Sequence, residues 1–117
     1  MGIKGQAVLL RIFVGESDKI GHLPLFEAIV RKARKEGLAG ATVLKGVLGY
    51  GATAHIRTTK ILDLSADLPM MIELVDEQSK VEAFAPVCSE LIEQADCGGL
   101  VTLENIRVIR YTPGRKG

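Results

Sequence analysis

The 117-residue sequence contains no tryptophan, and aromatic residues make up only 4% of it. It has two cysteines, Cys88 and Cys97, with no CxxC pair and no histidine near them, so neither a zinc site nor a disulfide framework is expected. No segment reaches the roughly 20 apolar residues of a membrane span. Arg11 interrupts the N-terminal apolar run and no cleavage-like site follows, which argues against a signal peptide. We therefore expect free thiols in a cytoplasmic protein.

The chain also lacks an excess of charge of either sign. Fifteen Lys and Arg residues face fourteen Asp and Glu residues, for a formal net charge of +1. Non-specific attraction to nucleic acid would need a basic excess gathered into a patch, so no nucleic-acid partner is expected. The basic tail 110–117 is short and is interpreted as a solvated terminus. The length and the 47% hydrophobic content predict one globular domain over residues 1–117.

The hydrophobic pattern predicts four strands and two helices in the order β-α-β-β-α-β. Runs 6–14 and 68–75 are apolar almost throughout, which is typical of strands buried on both faces. The other predicted elements are strands over 41–45 and 105–111, a helix over 24–36, and a second helix capped by Asp76 and ended by Gly98 and Gly99. This order predicts an α+β, ferredoxin-like fold with an antiparallel sheet and two helices on one face. Right-handed crossovers place the two apolar strands in the centre and the other two at the edges.

Three local features of the sequence lead to further predictions. Gly37 is placed for a left-handed helix C-cap, and Pro86 is expected to kink or split the second helix. Residues 46–66 form a long excursion between two strands, with strand-like composition over 55–62. Loops of that length within a compact domain are usually functional or disordered.

One face of the predicted sheet has no helix to cover it. By alternation, Leu9 and Phe13 lie on one face of the central strands and Val8 and Leu10 lie on the other. Both faces are apolar, so we expect the uncovered one to meet another subunit. Arg11 and Glu73 share the face of Leu9 and Phe13, and they should pair with each other or across an interface because an unpaired charge there is costly. A structural ion pair and a ligand-binding role both remain open for them.

Two motifs resemble those of the nitrogen-regulatory PII proteins. A Gly-x-x-Gly-x-Thr-Val run occupies residues 37–43, and a Gly-aromatic-Gly turn follows at Gly49-Tyr50-Gly51. Over about residues 6–111 the chain is similar to a PII-like group, domain-of-unknown-function family 190. The segments that carry this resemblance are 10–18, 39–43 with Gly46 and 49–51, 67–69, 73–76 and 100–104.

The resemblance implies a homotrimer that binds an adenine nucleotide (AMP, ADP or ATP) in clefts between subunits, with no required cofactor. The excursion 46–66 would be the T-loop that signals to a partner protein, such as a membrane transporter. Glycines let backbone N–H groups approach an anion, and Lys45, Arg57 and Lys60 could supply positive charge. A bulged hairpin base and a solvated loop are the structural alternatives. The candidate ligand-binding residues are Thr42, Lys45, Gly46, Gly49, Tyr50, Gly51, Arg57, Lys60, Gly99, Leu100, Val101 and Thr102.

The segment before the predicted last strand departs from the PII pattern. PII proteins have a lysine-containing B-loop there, whereas residues 98–104 contain no lysine and end in Glu104. A monophosphate or diphosphate, or another ligand, is therefore favoured over tight ATP binding.

No nucleophile-base pair, Walker loop or metal-ligand cluster is visible, so the chain is not expected to be an enzyme. A trimer that responds to divalent metals, using His55 and carboxylates, or that is purely a scaffold, is the alternative function. An acylphosphatase-like hydrolase is disfavoured because the acidic turn 15–18 would repel a phosphate.

Overall fold

The computed structural model describes residues 3–59 and 67–114, which form a four-stranded antiparallel sheet, two helices and two short hairpins. The elements are, in chain order, β1 (Gly5–Gly15), β2 (Lys19–Ile20), β3 (Leu23–Pro24), α1 (Leu25–Lys35), β4 (Thr42–Lys45), β5 (Leu48–Gly49), β6 (Arg57–Thr58), β7 (Pro69–Asp76), α2 (Gln78–Gln94) and β8 (Leu100–Val108). Among the residues so described, no helix has the length and apolar character that crossing a membrane would require.

The main sheet has the strand order β4-β7-β1-β8. Its two central strands, β7 and β1, are the two apolar runs of the sequence, and Leu10 lies opposite Leu74 on one side and Leu103 on the other. The predicted ferredoxin-like order, with these strands in the centre, is confirmed.

The hydrophobic core lies between this sheet and the two helices. Alternate residues of β1 and β7 point into it, and Leu10, Ile12 and Ile72 have no exposed surface. From the other side, α1 contributes Ile29 and α2 contributes Phe84, both of them buried. Residues of the opposite parity in β1 and β7, apart from Ala7, are only half-buried, so the predicted open face is present, and it is the face that carries Leu9 and Phe13.

The ends and the interior of the helices partly follow the sequence expectations. Gly37 has φ +83° and its N–H donates to the carbonyl of Arg34, which confirms the left-handed cap. Pro86 lies inside α2, which continues from Gln78 to Gln94, so the helix is not split there. The alternative, a kink at Pro86, stays a prediction. Pro86 is exposed, and it has no backbone N–H to donate to the preceding turn. Phe84 and Cys88, buried on either side of it, hold the helix against the core.

The last strand differs from its predicted bounds of 105–111. β8 begins at Leu100, because residues 100–103 pair with residues 10–13 of β1. It ends at Val108, whose partner Gly5 has φ +88° and is the first residue of β1. Residues 109–111 therefore have no strand to pair with among the described elements and leave the sheet.

Asp76 does not cap α2 as predicted. The N-cap residue is Glu77, whose side chain makes no capping hydrogen bond. The Asp76 carboxylate, only 1% exposed, instead accepts hydrogen bonds from the N–H of Glu77 at 2.7 Å and of Ala39 at 2.9 Å. It thus ties the connector between α1 and β4 to the end of β7.

We expect Asp76→Ala to lower the free energy of unfolding by about 2 kcal/mol or more, because two N–H groups lose their acceptor. Urea titration followed by circular dichroism measures the change. An exposed acidic residue in the interior of α2 provides the control, since Glu90→Ala should change stability by less than about 0.5 kcal/mol. Equal effects of the two substitutions would contradict the anchoring role of Asp76.

Candidate ligand-binding site

A groove of about 350 Å³ lies on the open face of the sheet, at the end where β4 begins and β8 finishes. Its walls come from three strands, from the connector before β4 and from the segment after β8. The residues that line it are Ile3, Gly40, Ala41, Thr42, Glu73, Val75, Ile106, Val108, Arg110 and Tyr111. Of the sequence candidates, only Thr42 belongs to this set.

Glu73 is the acidic group of the groove. It lies opposite Thr42 across the β4–β7 pair. Arg11 Nε donates to Glu73 Oε2 at 2.8 Å and Arg11 Nη1 donates to Glu104 Oε1 at 3.3 Å. The predicted Arg11–Glu73 pair is confirmed, and its hydrogen bond raises the pKa of Arg11. Arg11 therefore holds one Glu73 oxygen in place beside the groove.

The segment after β8 closes one side of the groove. The Tyr111 hydroxyl donates to the carbonyl oxygen of Ala39 at 2.6 Å. β8 and β4 are opposite edges of the sheet, so this segment crosses the end of the sheet to reach the connector before β4. Arg110 and Tyr111, interpreted from the sequence as part of a solvated tail, are groove residues instead. The available signal was the tyrosine itself, whose hydroxyl usually finds a partner when the ring packs.

At the other end of the sheet, the base of the excursion packs tightly on Pro69. The N–H of Gly46 donates to the carbonyl of Pro69 at 2.7 Å. A Cβ at position 46 would lie 2.7 Å from Pro69 Cγ, and one at position 49 would lie 3.2 Å from it. Packing therefore requires a glycine at position 46, whether or not it also contacts a ligand, while a side chain at position 49 would need a small shift of Pro69.

We expect Gly46→Ala to destabilise the protein by about 1–3 kcal/mol, because the added methyl group overlaps Pro69. Gly51→Ala is the matched control, since a Cβ there would meet nothing within 4 Å. Thermal unfolding of the two variants measures the difference. A Gly46→Ala protein as stable as Gly51→Ala would show that Pro69 yields without cost.

Two of the three cationic candidates, Lys45 and Arg57, lie at the same end of the sheet as Gly46. Lys45 ends β4, and its Nζ is 2.7 Å from Glu16 Oε2. Arg57 lies opposite Gly49 in the β5–β6 hairpin, while Lys60 lies outside the described residues. The strand-like composition of 55–62 appears as a strand only at 57–58 within the part that is described.

The tip of this hairpin is exposed and largely apolar. The side chain of Tyr50 is 72% exposed, and Val47, Leu48 and Ile56 are each at least 60% exposed. Gly51 and His55 are exposed as well. None of these residues contributes to the groove.

The last four candidates lie on the opposite edge of the sheet. Gly99 packs close to Ile92 and to the carbonyl of Phe13, and Leu100, Val101 and Thr102 are paired residues of β8. The expectation of a loop over 98–104 is therefore wrong beyond residue 99. Three strand spacings, about 14 Å, separate this edge from β4. One chain does not bring Gly99–Thr102 next to Lys45–Gly51.

Neither cysteine is disposed to act as a nucleophile. Burial raises the pKa of Cys88 to about 12. Burial and, next, the nearby Asp18 carboxylate raise the pKa of Cys97 to about 11. Both thiols are therefore protonated at neutral pH.

The acidic turn and the histidines offer no metal centre within residues 3–59 and 67–114, where no group of three His, Cys, Asp or Glu side chains could hold an ion. Asp18 Oδ2 accepts from the N–H of Gly15 at 2.7 Å, as a turn-forming residue does.

The sequence matches a known protein family. The profile of DUF190, described as Uncharacterized ACR, matches residues 7–108. The chain belongs to this family. A UPF0166 protein of Aquifex aeolicus is 37% identical over 101 residues, which cover 86% of this chain and 91% of that protein. A UPF0166 protein of Methanocaldococcus jannaschii is 31% identical over 105 residues, covering 90% and 94%.

Solved structures with the same fold include PII-like proteins. CPII of Thiomonas intermedia K12, a nitrogen regulatory PII-like protein bound to ADP, AMP and bicarbonate, matches this DUF190 chain with a TM-score of 0.67 and 18% identity over 90% of each chain. A protein described as PII-like signalling, from Thermus thermophilus, has a TM-score of 0.61 and 16% identity, also over 90% of each chain. At these identities the likeness shows the fold, which is PII-like.

Proposed function

We propose that this DUF190 protein is a PII-like regulator that binds ADP or AMP at the open face of its sheet and signals to a partner protein through the hairpin that follows β4. The observation that carries the proposal is the groove, which combines an oriented carboxylate with apolar and aromatic walls. The ADP and AMP bound to CPII, which has the same fold, support this class of ligand.

The groove has the chemistry to hold an adenine base. Val75, Ile106 and Val108 provide apolar surface for the faces of a ring. The Glu73 carboxylate accepts hydrogen bonds only, which suits the exocyclic amino group of adenine.

The edge strand β4 provides a path from the base to the phosphates. From Thr42, at the groove, four residues at about 3.3 Å each lead to Gly46, a span of about 13 Å. Lys45, Arg57 and the backbone of Gly49 and Gly51 lie at that far end. We propose that Gly99–Thr102 of a neighbouring subunit complete the site, because within one chain they are too distant. The few cations present favour one or two phosphates over three.

The open face supports the trimer. Leu44 and Leu100 are 46% and 55% exposed at its two edges, and Leu9, Phe13 and Met71 lie half-buried between them. An apolar surface that continues across a sheet is typical of an interface. In a trimer this face would be covered, and the groove at its margin would become a cleft between subunits.

The exposed hairpin supports signalling to a partner. Val47, Leu48, Tyr50 and Ile56 form an apolar tip that contributes to neither the core nor the groove. Lys45, at its base, is held by Glu16, so a bound phosphate would compete with Glu16 for the ammonium group. We propose that this competition changes the position of the hairpin.

We expect isothermal titration of the purified protein to show saturable binding of ADP and AMP. Glu73→Ala should weaken ADP binding by about tenfold or more, because a charge-assisted hydrogen bond is lost. Glu104→Ala is the matched control: it removes the other carboxylate partner of Arg11 but does not touch the groove. Its ADP affinity should stay within about threefold of the wild type.

The absence of binding heat with any adenine nucleotide would refute the proposed ligand. Equal losses in Glu73→Ala and Glu104→Ala would instead mean that the Arg11 network, and not Glu73 itself, determines the affinity.

We also expect a trimer in sedimentation equilibrium, and Leu9→Asp should dissociate it because a charge would be placed in the apolar interface. Leu103→Asp is the control. Leu103 is 48% exposed and belongs to the opposite parity of β8, so the trimer should persist. A monomeric wild-type protein, or dissociation by both variants, would rule out the open face as the interface.

A further inference from the structure

The aromatic ring of Tyr111 is held in a defined place at the groove by a connected set of hydrogen bonds. Its hydroxyl donates to the carbonyl oxygen of Ala39 at 2.6 Å, and the N–H of Ala39 donates to buried Asp76 at 2.9 Å. Asp76 is 1% exposed and belongs to β7, at the centre of the sheet. The segment after β8 is thus tied to the core through both polar backbone atoms of Ala39.

This arrangement leaves part of the ring available. Tyr111 is 44% exposed although its hydroxyl is bonded, and it lines the groove together with Thr42 and Glu73. A tyrosine anchored at its hydroxyl presents a flat apolar surface at a low cost in side-chain freedom. Aromatic rings of this kind hold nucleobases by stacking.

We propose that Tyr111 is the stacking platform for the base, with Glu73 at the edge of the base and Tyr111 against its face. This inference rests on the proposed nucleotide site and adds the residue that selects for an aromatic ligand. Its structural requirement is the bond to Ala39, which sets the ring beside Thr42. The segment after β8 is then part of the binding site, and a bound base would strengthen its contact with the connector before β4.

Two substitutions of Tyr111 distinguish the contribution of its ring from that of its hydrogen bond to Ala39. Tyr111→Leu removes the aromatic face and should weaken ADP binding by about tenfold or more. Tyr111→Phe keeps the ring but loses the bond to Ala39, and should weaken binding by a smaller factor of about threefold. Pyrophosphate, which has no base, should bind equally to the wild type and both variants. Circular dichroism and thermal unfolding establish that the variants are folded.

Tyrosine fluorescence reports the contact directly, because the chain has two tyrosines and no tryptophan. ADP should quench the emission of the wild type and of Tyr50→Phe, in which Tyr111 is the fluorophore that remains. In Tyr111→Phe the remaining emission comes from Tyr50, and ADP should change it no more than pyrophosphate does, because the base does not reach the hairpin.

The possible failures can be told apart. If the wild type binds ADP and Tyr111→Leu binds it equally well, the platform is refuted while the nucleotide site stands. If quenching survives in Tyr111→Phe and is lost in Tyr50→Phe, the base lies at the hairpin, and the assignment to Tyr111 is wrong. If Tyr111→Leu weakens pyrophosphate as much as ADP, the effect is structural and the platform is again refuted. If the wild type binds no adenine nucleotide, both proposals fail together.

Discussion

Strand β1 has apolar side chains on both of its faces, and the rest of the molecule is arranged around that constraint. Both edges of the strand are paired, to β7 and β8, so its backbone groups are satisfied over its length. One face, with Leu10 and Ile12, is covered by α1 and α2. The other face, with Leu9 and Phe13, has no helix over it in the described parts of the chain. An apolar surface that no helix covers favours association with another subunit. The open face is therefore the proposed interface of the trimer.

The charged side chains on that open face form ion pairs with one another. Arg11 interrupts the apolar pattern of β1 and is placed between Glu73 and Glu104 on the two neighbouring strands. At the surface of one chain such pairs contribute little to stability. The effect of these ion pairs is to orient the Glu73 carboxylate at the margin of the apolar surface, where the groove begins. A recognition group beside apolar walls is the usual composition of a small-molecule site.

The connector before β4 links this site to the core. Asp76 holds Ala39 from the sheet, and Tyr111 holds it from the segment after β8. Thr42, three residues further on, is therefore placed by contacts that come from two distant parts of the chain. Gly46 of the predicted site has a different explanation, because the close approach of Pro69 requires a glycine there.

The sequence alone predicted the fold and one interaction within it. Periodicity identified the two central strands and both helices, because burial on two faces or on one stripe leaves a local pattern. Alternation along the strands placed Arg11 and Glu73 on one face, and the strand order made them neighbours. The motif at residues 37–43 pointed to Thr42. The bounds of β8 were missed, since they depend on the register with β1 and not on local propensity.

Only the tertiary structure decided which residues form the groove. Glu73 faces it, but the sequence pattern treated Glu73 chiefly as the partner of Arg11. Tyr111 and Asp76 reach the site across separations of 72 and 37 residues from Ala39, and no local pattern records such contacts. The sequence therefore determined how the sheet and the helices are layered, because buried positions recur at short, regular intervals along each strand and helix. The site depends on where the ends of distant strands meet, and that is determined by packing and register in three dimensions.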